Sequence, residues 1–443
     1  MKHGLRALRH RNFRLFLAGQ FISLVGTWMQ TVALGWLVYR LSHSPFLLGL
    51  AGFLGQIPSL FFSPLAGVWA DRWNRHHMVI ATQVLAMLQA LALAALVLSG
   101  RATIAEVLGL TLLLGFVNAM DVPSRQSFVF EMVQGADDLP SAIALNSSVF
   151  NLARLIGPSI AGILISVVGE GTVFLLNAVS YIAVIAALLA IRLPRHDRRA
   201  LEPVRVWPHL VEGVHYAAGF APIRSVLVLV SIVSLVGAPY TVLMPIFATD
   251  VLHGGAHTLG FLVGSIGVGA LAGAAFLATR RSVRGLGTVI VRAVAAFALG
   301  LMALALARWQ WMAVGALVIT GFGLMVHMAS SNTILQTLVD HDKRGRVMSL
   351  YAVAFMGTMP IGSLLAGALA ARIGARWTVA SGGALCLVAA ALFARALPAL
   401  RAQVRPIYAR LGIIPEVADG LRASEEPAAT AVDAGSDVPP RGP

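Results

Sequence analysis

The stretch AGVWADRWNRHHM (Ala66–Met78) sets Asp71, Arg72 and Arg75 close together in a chain of 443 residues where 12% are charged and 58% are hydrophobic. On either side the sequence turns apolar. Pro45–Ala70 before it and His77–Leu98 after it each exceed about 20 residues, the length that spans a hydrocarbon core of about 30 Å. The charged stretch therefore reads as a short loop between two membrane spans. Working outward gives about twelve such runs, among them Phe13–Leu41, Thr103–Val122, Ser141–Val168, Thr172–Arg192, Arg224–Thr249 and Trp377–Leu397. A mean hydropathy of +0.81 with 43 glycines excludes a fold around one water-soluble core. The expected fold class is an all-α polytopic membrane protein, and its first partner is the lipid bilayer.

Positive charge sets the expected orientation. With an even number of spans both termini share one face, and that face collects Arg6, Arg9, Arg11, Arg14, Arg72, Arg75, Arg125, Arg198, Arg199, Arg284, Arg344 and Arg346. The other face keeps Arg40, Arg101, Arg308, Arg372 and Arg376. By the positive-inside rule the termini are cytoplasmic, in a plasma membrane of the bacterial cytoplasmic type. The formal charge of +14 then expresses topology and attraction to anionic headgroups, with no nucleic acid as partner. The basic start runs into a span too long for a signal-peptide core, and the single cysteine, Cys386, cannot form an internal disulfide.

A polar stretch, residues 193–223, divides the chain into 1–192 and 224–398, two six-helix bundles joined by a cytoplasmic linker, and 399–443 reads as a disordered tail. An internal echo supports the division: IGPSIAGIL (Ile156–Leu164) in the fifth span resembles IGSLLAGAL (Ile361–Leu369) in the eleventh.

On these residues the loop resembles the major facilitator superfamily, whose loop between its second and third helices carries G-x-L-a-D-r-x-G-r-[RK]-x-x-l. Gly67, Ala70, Asp71, Arg72 and Arg75 match it as they stand, while Trp69, Asn74, His76 and Val79 depart from it. The resemblance implies two pseudo-symmetric six-helix bundles and a gating latch. In that latch the carboxylate at Asp71 meets the start of the eleventh helix, where free N–H groups favour negative charge. Arg75 would pair with an acid at the end of the fourth helix, a role for which Asp121 is placed, with Arg125 beside it.

DVPSRQSFVFEMV from Asp121 and LPSAIALNSSVFNLARLIGPSIAG from Leu139 further resemble the branch containing the enterobactin exporter and transmembrane secretion effectors. Within it Gly157, Pro158 and Gly162 fit the fifth-helix signature of antiporters, which implies export. The residues themselves say a kinked helix in close contact with a neighbour, and the two readings are compatible.

Polar side chains at helical spacing are the candidates for a substrate cavity. Gln20, Ser23, Thr27 and Gln30 form a stripe on the first helix. Asn118, Asn151, Arg154, Asn177, His327, Asn332 and Gln336 lie on others, and each could equally fasten the bundle. Arg154, about 22 Å into a core of about 30 Å, either snorkels to the surface or turns into the cavity to meet an anionic ligand. The expected function is secondary active export of small amphiphilic molecules of drug or siderophore type, as a monomer, with protons as the coupling ion. Import, lysophospholipid flipping or a membrane-embedded lipid enzyme are the alternatives. No acid falls in the centre of a span, which leaves His327 as the titratable candidate. No G-x-x-x-x-G-K-[ST] loop, H-E-x-x-H or C-x-x-C occurs, so neither nucleotide, metal nor other cofactor is expected, and no catalytic residue is assigned.

Overall fold

The computed structural model describes residues 6–72, 74–133, 138–191, 206–280, 282–340 and 342–410, with only the backbone described at 63–72, 130 and 206–211. Its long helices are α1 (Arg11–Ser42), α2 (Pro45–Arg72), α3 (Arg75–Leu98), α4 (Ile104–Met132) and α5 (Leu139–Ala190), then the shorter α6 (Val206–Gly219). After it come α7 (Ala221–Val251), α8 (Ala256–Ala278), α9 (Leu286–Ala305), α10 (Gln310–Leu338), α11 (Arg344–Ile373) and α12 (Ala375–Arg410). Of these, 11 are long and apolar enough to cross a membrane. One of them, α5, is two spans, because Gly169 breaks it with φ 79° and ψ 166°. The fold is therefore all-α, with twelve spans in two six-helix bundles.

Glycine is what makes that break affordable, since a Cβ would clash at such a φ. Gly374, between α11 and α12, adopts nearly the same conformation, φ 84° and ψ 156°. Each turn follows its echo by the same length of chain, Ile156 to Gly169 and Ile361 to Gly374. The sequence echo is thus a backbone echo. The face of the molecule carrying Gly169 and Gly374 is called the turn face below, and the opposite one the terminal face.

The echo extends to packing. Gly157 lies against Val25 and Trp28 of α1, and its counterpart Gly362 against Leu235 and Pro239 of α7. Gly162 meets Gly260 of α8 so closely that a Cβ would stand 2.7 Å from the Gly260 Cα. Its counterpart Gly367 meets Gly49 of α2 with the same separation at 2.8 Å. Helix pairs α5 with α8 and α2 with α11 therefore join the halves, both near the turn face, through backbone-to-backbone contact that only glycine permits.

Local chemistry explains the helix ends. Asn74 caps α3 by accepting from the His76 N–H at 3.0 Å, and Thr103 with Glu106 forms a capping box at the start of α4. In α7, Pro239 and Pro245 lack the N–H an α-helix needs, and the chain there passes through π turns at Val233–Gly237 and Phe247–Val251 around a 3-10 stretch, Ala238–Leu243.

Three boundaries differ from the expectation. The fourth helix does not stop at Val122; it carries Pro123 within it and runs to Met132. The last helix continues beyond 398 to Arg410, and residues 411–443 of the expected tail lie outside the described residues. Between the halves, where a linker was expected, 206–219 form α6, docked on the start of α11 and against α7. Glu212 pairs there with Arg346, and the Lys343 ammonium stands 4.8 Å over the Tyr216 ring. Burial, seconded by the charge of Asp340, raises the Tyr216 pKa above its ordinary value.

Candidate functional site

The stripe on α1 faces inward to its own bundle. Gln20, Ser23 and Gln30 are buried. The Gln30 amide donates to Gln89 Oε1 of α3 at 2.9 Å, and its oxygen accepts from Asn177 Nδ2 in the sixth span at 2.7 Å. Thr27 Oγ1 donates to the Ser23 carbonyl at 2.9 Å and lies 3.4 Å from the Tyr181 hydroxyl. Thr27, Gln30 and Asn177 thus fasten α1 to α3 and to the sixth span, rather than lining a space between the halves, while Gln20 is buried with its Oε1 unpartnered. A helical period identifies a face but not the neighbour that covers it.

The same bundle buries a charge. Asp121 is 5% exposed, inside α4 because that helix continues to Met132. Its Oδ1 accepts from Thr82 Oγ1 at 2.9 Å and Gln83 Nε2 at 2.8 Å, and its Oδ2 pairs with Arg125 Nε at 3.0 Å, one turn along. Asp121 is therefore not the partner of Arg75. That role falls to Glu131, at 2.9 Å from Arg75 Nη1, an acid nearer the terminal end of α4 and so within reach of the start of α3. Of the remaining latch residues, Gly67, Asp71 and Arg72 belong to the last turns of α2, and their side chains lie outside the described residues.

Arg154 stands between the halves. Half-buried on the fifth span, its guanidinium carbon lies 5.7 Å from the Trp28 ring centroid, and Trp28 meets Phe150 edge-on at 5.8 Å. The adjoining Leu155 lies against Gly267 of α8, in the other half. No carboxylate pairs with Arg154 among the described residues. Asn151, one turn before, spends its amide on the Ser147 carbonyl at 2.8 Å. Asn118 is half-buried on α4. On α10, Asn332 is half-buried and accepts from Gln336, whereas His327 is fully buried, with Nδ1 3.4 Å from Ser331 Oγ and Nε2 unpartnered. The candidates thus comprise a hydrogen-bonded set inside the first half, Arg154 beside Trp28, Asn118 on α4, and His327 and Asn332 on α10.

The turn face carries two further contacts, one between the halves and one within the first. The Tyr39 hydroxyl donates to Asp250, joining α1 to α7, and Arg40 pairs with Glu170, just after the Gly169 turn. Sequence reading had no assignment for Glu170; the signal was an acid beside a glycine turn on the face that also carries Arg40.

Residues 3–412 match the transmembrane secretion effector family. The chain belongs to that family. Among its relatives are the staphyloferrin A transporter of Staphylococcus aureus, 25% identical over 357 residues, 80% of this chain and 88% of the relative. The multidrug efflux pump Tap of Mycobacterium tuberculosis is 27% identical over 402 residues, 87% and 93% of the two chains. Among solved structures, the peptide transporter POT (E310Q mutant) superposes with a TM-score of 0.70 at 13% identity, covering 88% of this chain and 94% of that one. This transmembrane secretion effector is thus a major facilitator transporter, not an enzyme, with a small molecule as substrate and a multi-pass seat in a membrane.

Proposed function

We propose that this transporter exports small amphiphilic molecules, anionic ones included, across a bacterial plasma membrane by alternating access, in exchange for protons and as a monomer. Its termini face the cytoplasm in this reading, as the distribution of arginines favours. The names of its relatives, a siderophore transporter and a multidrug efflux pump, support the substrate class. The observation that carries it is Arg154: a half-buried cation between the halves, stacked on Trp28, with no carboxylate among the described residues to neutralise it. Such a charge is costly in apolar surroundings and recognises an anion, while Trp28 and Phe150 offer the adaptable apolar surface an amphiphile needs.

Asp121 and Arg125 are the proposed proton-exchanging pair, since protonating Asp121 would release Arg125 and loosen its bonds to Thr82 and Gln83. Gly67, Asp71 and Arg72 remain proposed as the latch of the terminal face, with Pro158 and Gly162, against Gly260 of α8, as the contact about which the halves rock and Gly157 as the packing of the fifth span on α1. Transport of an anionic and a neutral amphiphile of similar size into proteoliposomes tests the reading. Arg154→Ala is expected to slow the anionic one by about tenfold, an effect of about 1.4 kcal/mol, with the neutral one little changed and Arg154→Lys intermediate. Equal losses for both, or wild-type rates for Arg154→Ala, overturn the role of Arg154. Efflux that survives collapse of every ion gradient overturns the coupling.

A further inference from the structure

A cavity of about 440 Å³ among the described residues is not between the halves. It opens inside the second half, where the terminal ends of α7, α9, α10 and α12 diverge. Its floor is apolar, with Val226, Leu338 and Phe393 all buried. Its rim carries Arg284, Arg401 and Arg405, and no acid is among the described residues that line it. Arg284 comes from the connection between α8 and α9, and the other two from the extension of α12 past residue 398. That extension contains no Asp or Glu. Arg401 already leans across to Thr288 at the start of α9, so the rim is drawn over the mouth of the cavity.

We propose that this cavity binds one anionic phospholipid from the leaflet on the terminal face, an acyl chain on the apolar floor and the phosphodiester between the arginines. Each half of the ligand answers one half of the site. Guanidinium groups grip phosphate oxygens in pairs, and a leaflet rich in anionic lipid supplies the headgroup at high local concentration. An apolar pocket of this size, within the range of about 300–1,000 Å³ for small-molecule sites, would be costly to leave filled with water. The transported substrate is the poorer occupant, because the residues of the cavity lie in one half only and none touches Arg154. Bound lipid would tie α12 to α9 and α7 at the membrane surface, and it would stabilise the second half in proportion to its occupancy. This inference does not depend on the direction of transport or on its coupling.

The test uses the full chain purified in a neutral detergent, with thermal unfolding and native mass spectrometry as readouts. Phosphatidylglycerol, phosphatidylcholine of the same acyl chains and inorganic phosphate are added separately. Phosphatidylglycerol is expected to raise the unfolding temperature and to bind on the order of tenfold tighter than phosphatidylcholine, with inorganic phosphate alone inert at equal concentration. The double variant Arg401→Gln with Arg405→Gln changes two exposed side chains, so it should fold, and it is expected to erase the preference for the anionic lipid. Val404→Trp, which fills the wall of the cavity, is expected to weaken both lipids alike. Equal binding of the two lipids by the wild type, a preference that survives in the double variant, or stabilisation by phosphate equal to that by phosphatidylglycerol would overturn the proposal.

Discussion

In the first half, Gln30, Gln89 and Asn177 bond one another across three spans, and Thr82, Gln83 and Arg125 surround Asp121. In the second half, Phe297, Leu243 and Met244 fill the interior, while single buried polar atoms without a partner occur in both halves, Gln20 Oε1 and Gln83 Oε1 in the first and Ser234, Ser330 and His327 Nε2 in the second. Yet both halves turn at a glycine of the same conformation, and both present a glycine to the opposite half at the same position of the echo. Two requirements have separated. The backbone plan must be kept in duplicate because each half closes on the other, whereas the interior chemistry is free to differ because no contact between the halves depends on it. Among the described residues buried charge collects in one half, around Asp121 and Glu170; the other half offers packing and an arginine-rimmed cavity.

The strongest way to break this comparison is Asp121→Ala, which leaves Arg125 in a mostly buried site without its counter-charge. A loss of about 3 kcal/mol is expected, the lower end for a buried pair because Arg125 keeps some access to water. Adding Arg125→Met should recover much of it in thermal unfolding. Equal instability of the single and double variants would mean that the pair is not the centre of the network. Next in size are Gly162→Val and Gly367→Val, each expected to cost about 1–3 kcal/mol by forcing two backbones apart. The informative quantity is their difference, expected within about 0.5 kcal/mol in unfolding measurements; a mild effect at one and a severe effect at the other would deny their equivalence. The smallest effect belongs to His327→Leu. Because His327 Nε2 has no partner to lose, the change should stay within about 1 kcal/mol in either direction, and a larger loss in the same measurement would reveal a partner in the working protein.

How far the sequence carried the fold depended on which physical signal each element gives. Apolar length located the spans, and the echo located the fifth and eleventh, because lipid imposes both on composition directly. Helix α4 misled, since Asp121 read as the end of the span and the residues after Val122 as a loop; in the structure Pro123 is carried inside the helix and Asp121 and Arg125 satisfy each other within the bundle. That misplaced end also concealed Asp121 as a buried acid and handed it the partner that belongs to Glu131. The α1 stripe misled for another reason. Its period was correct, but whether a polar face meets α3 or the divide between the halves is decided by tertiary packing, which no periodicity encodes. Arg154 was legible as a question because the cost of a charge at that depth holds whatever surrounds it, although the stacking on Trp28 required coordinates.

The connections of the turn face carry a practical consequence. They are His43–Ser44, Ser99–Thr103, Gly169, Leu252–Gly255, Leu306–Trp309 and Gly374, and none is longer than Ser99–Thr103. From that side the molecule offers an antibody or a protease almost no chain to grip, and a tag inserted there would have to displace a helix end. Reagents meant to report on this protein without disturbing it belong on the opposite side, where the polypeptide has length to spare.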